Sequence, residues 1–278
     1  MLTIQPRSGV GADVSGIDLR ELDDVALERL RSAYADHGVL FFRDQVMTPA
    51  DQITLARRFG EIDVNRFFRR EAEHPEIAVV SKSADETTNI GGGWHTDHSY
   101  DVEPAMGSML LARELPPRGG ETLFSNMNAA FEALSAGLRR TLVSLDAVHS
   151  SRHIFGTQGL YARLGDSRMQ NADQATQDAV HPVVIEHPQT GRPLLYVNQA
   201  FTLRFHGWSD DESRPLLELL YRHAARPEFQ TRFEWAPGSI ALWDNRATWH
   251  YALNNYPGGT RLMHRITIRG GPLKRWSH

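Results

Sequence analysis

The chain has no cysteine in any of its 278 residues. That absence excludes a disulfide framework, thiolate metal ligands, an iron–sulfur cluster and a cysteine nucleophile, so any metal must be held by His, Asp or Glu. There is no excess of positive charge either: 30 Lys and Arg stand against 34 Asp and Glu, a formal net charge of −4. A nucleic-acid polyanion is therefore not the expected partner. No apolar run approaches the length of a membrane span, and residues 1–10 carry no apolar signal segment. The expectation is a cytoplasmic protein that engages neither membrane nor nucleic acid. What is present is an apolar fraction of 41%, enough for a substantial core, in a chain whose length suits one large β-barrel or sandwich domain.

Hydrophobic patterning places the elements. Residues 2–4 read as a strand, and 9–16 as a turn-rich stretch. Residues 22–37 have helical apolar spacing and stop at Gly38, a residue that tolerates the left-handed conformation of a helix C-terminus. Residues 39–42 are a buried strand. Thr48 and Pro49 read as the N-cap and first turn of a second helix ending at Gly60. Strands are expected at 77–80, 106–112, 121–124, 183–185, 194–197, 239–243 and 261–268. Helical stretches are expected at 126–134, 138–145 and 211–225. Residues 150–180 are polar and irregular and read as a surface insertion with the character of a lid. Helices lie mostly toward the N-terminal side of this pattern. No repeat or linker divides the chain, so residues 1–278 are taken as one domain: mainly β with helices, a jelly roll or sandwich.

The stretch Gly91-Gly92-Gly93-Trp94-His95-Thr96-Asp97-His98-Ser99-Tyr100 carries the first chemical signal. On an extended chain His95 and Asp97 point to the same side and Thr96 points away, while His98, of opposite parity to Asp97, reads as a residue behind the ligands or at the surface and not as a ligand. That pair suits two of the three ligands of a facial two-His-one-carboxylate site, which leaves coordination positions open. The spacing alone is weak: about 1.6 such pairs arise by chance in this composition, and the chain holds two. The other, His74-Pro75-Glu76, has a proline between its ends and reads as a surface turn. The three glycines are not a phosphate cradle, because no Lys-Ser/Thr and no helix follows them. Later in the chain, His250 follows the buried strand at 239–243. Arg261 and Arg265 share a parity on the last strand, so they share a face, with His264 on the other. A guanidinium facing such a centre offers a bidentate grip for a carboxylate. Arg246 and Arg269 read as surface ion-pair residues.

Four ordered blocks now make a specific resemblance: Trp94-His95-Thr96-Asp97, Gly119-Gly120-Glu121-Thr122, Trp243-Asp244-Asn245-Arg246 with His250-Tyr251-Ala252, and Arg261-Leu262-Met263-His264-Arg265. The chain resembles the taurine dioxygenase family of Fe(II)- and 2-oxoglutarate-dependent oxygenases, with weaker similarity from about residue 39 to 268. The resemblance implies a double-stranded β-helix (jelly-roll) core flanked by α-helices. It implies Fe(II) held by His95, Asp97 and His250, with 2-oxoglutarate and O₂ as cosubstrates. Thr122 and Arg261 would take the distal carboxylate of 2-oxoglutarate, and Arg265 would face an anionic substrate. Phe155 and Phe201 fall at substrate-pocket walls. The implied reaction hydroxylates a C–H bond and releases succinate and CO₂, and cleavage follows if the hydroxylated carbon bears a heteroatom. Related enzymes are often homo-oligomers, dimers or tetramers.

The chain departs from the member that names the family. Asn65 and Phe68 stand where that enzyme has a histidine and a tyrosine, and Gly91 where it has an asparagine. Taurine is thus not the expected substrate; a small organic anion of aryloxyalkanoate, sulfonate, sulfate-ester or phosphonate type is, and the His95 to Tyr100 and Gly-Gly-Glu-Thr blocks lie nearer the aryloxyalkanoate dioxygenases. Three other readings compete. A halogenase replaces the carboxylate ligand with a small residue, whereas Asp97 is present. A non-catalytic cupin-like metal protein has no use for Arg261 and Thr122. A zinc hydrolase needs a general base that the motif does not supply.

Overall fold

The strand Val39–Phe42 is apolar at every position because both of its faces are covered. The computed structural model describes residues 1–277. Val39–Phe42 lies inside an eight-stranded sheet whose neighbours run Thr3–Pro6, Ala12–Ser15, Val39–Phe42, Ile240–Asp244, Gly107–Glu114, Arg261–Ile268 and Ile62–Asp63, with Ala78–Lys82 also paired to Arg261–Ile268. Pairing is antiparallel apart from Ala12–Ser15 with Val39–Phe42.

Alternation along these strands builds two cores. Leu40, Phe42, Met109, Leu111, Leu242 and Ile266 point to one face, where the helices Asp24–His37 and Pro49–Phe59 cover them with Leu27, Leu30, Ile53 and Leu55. The first helix is capped by the Asp23 carboxylate and ends at Gly38 with φ 73°. The second begins with a Thr48/Asp51 capping box and Pro49 in its first turn. Val39, Phe41, Leu110, Ala241, Trp243 and Met263 point the other way. They meet Phe124 and Phe233 from a three-stranded sheet in the order Gln230–Phe233, Thr122–Asn126, Thr248–Ala252. Behind that smaller sheet, Trp249 packs with residues of the helices Met127–Glu132 and Asp210–Ala224 in a further core. Helices therefore flank both outer sides rather than gathering toward the N-terminal half.

Several sequence expectations shift. The stretch 9–16 holds the strand Ala12–Ser15, whose buried Ala12 and Val14 are masked in the sequence by flanking glycines. The helix expected at 138–145 is Ala136–Val143, and the chain then turns into the strand Asp146–Ser150. Residues 150–180 are not uniformly irregular: they contain the short helices Arg152–Phe155 and Leu160–Arg163, and end in the strand Asp178–Pro182 paired to Asp146–Ser150. Buried Arg168 ties this segment down. It pairs with Asp166 and Glu86 and donates to the Ser81 and Thr88 carbonyls at 3.0 and 3.1 Å.

Arg269 does make an exposed pair, with Glu61. Arg246 does not lie at the surface: it is buried against Asp244, which is fully buried. Gln189 and Thr190 donate backbone N–H groups to His187 Nδ1, so His187 Nε2 carries the proton and donates to Asp244 Oδ2 at 3.2 Å. Burial pushes the Asp244 carboxyl up, but Arg246 and His187 outweigh it and hold the group well below the usual carboxylate range. Asp244→Ala leaves the Arg246 cation buried without its counter-ion. We expect a stability loss of about 3–5 kcal/mol in urea unfolding; a loss below ~1 kcal/mol would show that the pair does not hold this turn.

Candidate metal centre

The strand Thr248–Ala252 pairs with Thr122–Asn126, with His250 opposite Phe124. Alternation sends Trp249 outward, where its Nε1 donates to the Val197 carbonyl at 2.9 Å, and turns the flanking His250 inward. His95 reaches the same place from a loop. It exchanges two backbone hydrogen bonds with His250, at 3.1 and 2.8 Å, which bring the ring centroids to 4.1 Å. The loop passes tightly beside this ring. Gly91 has φ 76°, its carbonyl accepts from Ala252 N–H at 3.0 Å, and a Cβ there would sit 3.2 Å from His95 Cε1.

Asp97 completes the group. Its Oδ1 lies 3.7 Å from His95 Nε2 and its Oδ2 3.6 Å from His250 Nε2. Those spacings are too long for hydrogen bonds and suit side chains that converge on a shared point. The three ligand atoms lie within 4.8 Å of one another, and no other such group occurs among the described residues. His74-Pro75-Glu76 has no converging partner. His95 Nδ1 stands 2.8 Å from the Gly93 carbonyl and must donate to it, which turns the Nε2 lone pair toward Asp97 and His250. Burial lowers the pKa of both histidines, and the His95 imidazole lowers that of His250 further, so the neutral, metal-binding form is favoured. Thr96 points away, as its parity requires, and donates to the Asn245 carbonyl.

The carboxylate is held from behind. Ser108 donates to Asp97 Oδ2 at 3.0 Å, and Arg265 Nη2 stands 2.6 Å from the same oxygen. Asn245 Nδ2 donates to Ser108 at 3.2 Å, and Trp243 Nε1 donates to Asn245 Oδ1 at 2.8 Å. Burial pushes Asp97 up, but Arg265 and the three nearby imidazoles outweigh it and keep the group ionised well below its ordinary range. The sequence pointed to neither Ser108 nor Asn245 as a support, because each acts through a contact made far along the chain.

These groups open on a cavity of about 520 Å³. Arg261 lies at its wall and is 5% exposed, with its guanidinium 5.7 Å over the Trp235 ring, yet its Nε and Nη2 have no hydrogen-bond partner among the described residues. Burial pulls its pKa down to about 10. Beside it, the Thr122 hydroxyl accepts from Trp235 Nε1 at 3.0 Å, which leaves its own proton free to be donated into the cavity. Trp235 had no signal in the sequence. Asn65, Phe68, Gly91, Phe155, Phe201 and Arg265 all line the same cavity, so the structure brings together every site residue named from the sequence. Tyr100, a wall residue that was not anticipated, packs edge-on to Phe201 at 4.8 Å, and His98 is buried at the cavity beside the ligand group without joining it, not at the surface. The left-handed backbone at His98, φ 58°, breaks the extended alternation on which its expected direction rested.

Comparison with known proteins agrees in extent with this arrangement. The profile described as "Taurine catabolism dioxygenase TauD, TfdA family" matches residues 3–267. An alkylsulfatase of Acinetobacter baylyi is 32% identical over 94% of this chain and 82% of its own. A (S)-phenoxypropionate/alpha-ketoglutarate-dioxygenase of Sphingobium herbicidovorans is 31% identical over 94% of this chain and 92% of its own. Among solved structures, a taurine dioxygenase from Burkholderia xenovorans superposes with a TM-score of 0.83 at 33% identity, covering 98% of this chain and 90% of that one. With the profile spanning nearly the whole sequence, the chain belongs to the TauD/TfdA family and is a 2-oxoglutarate-dependent dioxygenase.

Proposed function

We propose that this dioxygenase uses His95, Asp97 and His250 to hold Fe(II), Thr122 and Arg261 to hold 2-oxoglutarate, and the rest of the cavity to hold a small organic anion with an apolar body. The observation that carries the reading is Arg261: a buried guanidinium, two of its nitrogens unanswered, at the wall of the cavity that the three ligands open on. A buried cation without a counter-ion is costly, and a distal carboxylate gripped by two N–H groups and the Thr122 hydroxyl removes that cost. A non-catalytic metal protein or a hydrolase leaves this residue without a purpose. The donor set also fits the metal: two neutral imidazole Nε2 atoms and one ionised carboxylate, converging from one side.

Bound iron supplies the oxidising chemistry with O₂, coupling conversion of 2-oxoglutarate to succinate and CO₂ with hydroxylation of a substrate C–H. The protein's part is placement. Arg265 holds Asp97 Oδ2 while its Nε stays unpartnered, so the same guanidinium can meet a substrate anion beside the centre. Phe68, Tyr100, Phe155 and Phe201 give the cavity an aromatic wall. That wall favours an aryloxyalkanoate over a small sulfonate, with sulfate esters and phosphonates as the other candidates. In topology the facing sheets are read as a jelly roll within one domain, 1–278. Residues 150–180 are read as its lid, since Ile154, Phe155, Leu160, Tyr161 and Leu164 line the cavity from that segment.

Purified protein given Fe(II), 2-oxoglutarate and ascorbate is expected to release succinate faster with one member of a panel of aryloxyalkanoates, sulfonates, sulfate esters and phosphonates. Removal of metal with a chelator should abolish the release. Succinate production indifferent to metal would refute the reading. Arg261→Ala should raise the KM for 2-oxoglutarate at least tenfold, from the loss of ~1.5–3 kcal/mol of charge-assisted hydrogen bonding. An unchanged KM would remove Arg261 from the cosubstrate site.

A further inference from the structure

We infer that His98 is a positioning residue for the substrate: it fixes the Asn65 amide so that one N–H is left for a substrate oxygen beside Arg265. This rests on the reading above that the cavity takes the organic substrate. His98 and Asn65 both line the cavity and are 2% and 5% exposed. Asn65 cannot turn freely. Its Oδ1 accepts from the backbone N–H of Phe67 at 2.9 Å and of Phe68 at 3.1 Å, so its NH₂ faces His98 Nε2 at 3.1 Å. An amide NH₂ only donates, so Nε2 must accept and the ring proton must sit on Nδ1. There it donates to Asp101 Oδ2 at 2.9 Å.

Asp101 is itself fixed. Arg66 forms an ion pair with its Oδ1, and Gln177 Nε2 donates to that oxygen at 3.0 Å. The chain runs from Asp101 through His98 to Asn65, each of its two links one donor to one acceptor. The left-handed backbone at His98, costly for a residue with a Cβ, is what sets the ring into this line. One Asn65 N–H is thereby used, and the other has no acceptor among the described residues. The ring of Phe68, the residue whose N–H anchors Asn65, lies 5.6 Å from the Arg265 guanidinium carbon. Asn65 and Arg265 thus line one cavity with Phe68 as a shared neighbour, one as a neutral donor of fixed direction, the other as a charge.

The test uses iron-loaded enzyme with (S)-2-phenoxypropionate as probe. His98→Ala is expected to raise the KM for the probe about five- to tenfold, the value of one oriented hydrogen bond, with the KM for 2-oxoglutarate unchanged. Asn65→Ala should lose as much, and the double variant no more than either. His98→Gln places an amide oxygen near the position of Nε2 and should recover most of the loss. Equal damage to both KM values, or no recovery in His98→Gln, would overturn the assignment. If wild-type enzyme does not turn over the probe, the aryloxyalkanoate ranking falls. The positioning role is then decided by nitrogen NMR of the His98 ring, where a proton on Nε2 would refute it and a bare, hydrogen-bonded Nε2 would support it.

Discussion

The inner face of the large sheet carries charge where the rest of that face carries hydrocarbon. Strand alternation puts Arg261 and Arg265 on the same side as Met263, and Ser108 on the same side as Leu110. Each fully buried large apolar side chain around them contributes roughly 1.5–3 kcal/mol, while an unpaired buried ion costs several. The sandwich can therefore hold two inward guanidinium groups only if something answers them. Asp97 answers Arg265. Among the described residues no carboxylate pairs with Arg261, whose guanidinium lies 5.7 Å over the Trp235 ring, and burial pulls its pKa down to about 10. Its free N–H groups, at the wall of the cavity, are what the proposed grip on 2-oxoglutarate rests on.

The same logic governs Asp97. A carboxylate between two imidazoles in an apolar setting would take up a proton if burial alone decided. Arg265, with Ser108 as a neutral donor, reverses that and keeps the oxygen atoms ionised and aimed. The two histidines favour the neutral form chiefly because both are buried, and at His250 the neighbouring His95 adds to the effect. The donor set is therefore prepared before any ion arrives, and little rearrangement needs to accompany binding.

Much of this was legible in the sequence, for reasons that are local. The pairing of His95 with Asp97, the shared face of Arg261 and Arg265, the caps at Thr48 and Gly38 and the fully apolar strand at 39–42 all follow from periodicities of two to four residues. What escaped has long-range causes. Trp235 reaches Thr122 from just past the neighbouring strand of the small sheet, Ser108 reaches Asp97 from the large sheet, and neither contact leaves a mark in its own neighbourhood. The strand Thr248–Ala252 has a histidine at its centre and reads poorly as a strand until its partner Thr122–Asn126 is known. Arg246 was misplaced because arginine is ordinarily exposed, and only the buried Asp244 beside it explains the exception. That His98 lines the cavity itself rests on its own left-handed backbone, a local event that alternation cannot register.

The segment that supplies Ile154, Phe155, Leu160, Tyr161 and Leu164 to the cavity wall supplies none of the residues proposed to hold iron or 2-oxoglutarate. It is fastened at one side by Arg168 and packs on the aromatic cluster instead of on the strands that carry the centre. Side chains that only face the cavity there can change without removing a proposed iron or 2-oxoglutarate contact, whereas Tyr161, bonded to Gly91, and Gln177, bonded to Asp101, tie the segment to the site. An ancestral enzyme of this design could acquire new substrates by rewriting one stretch of chain, and a protein engineer has the same freedom.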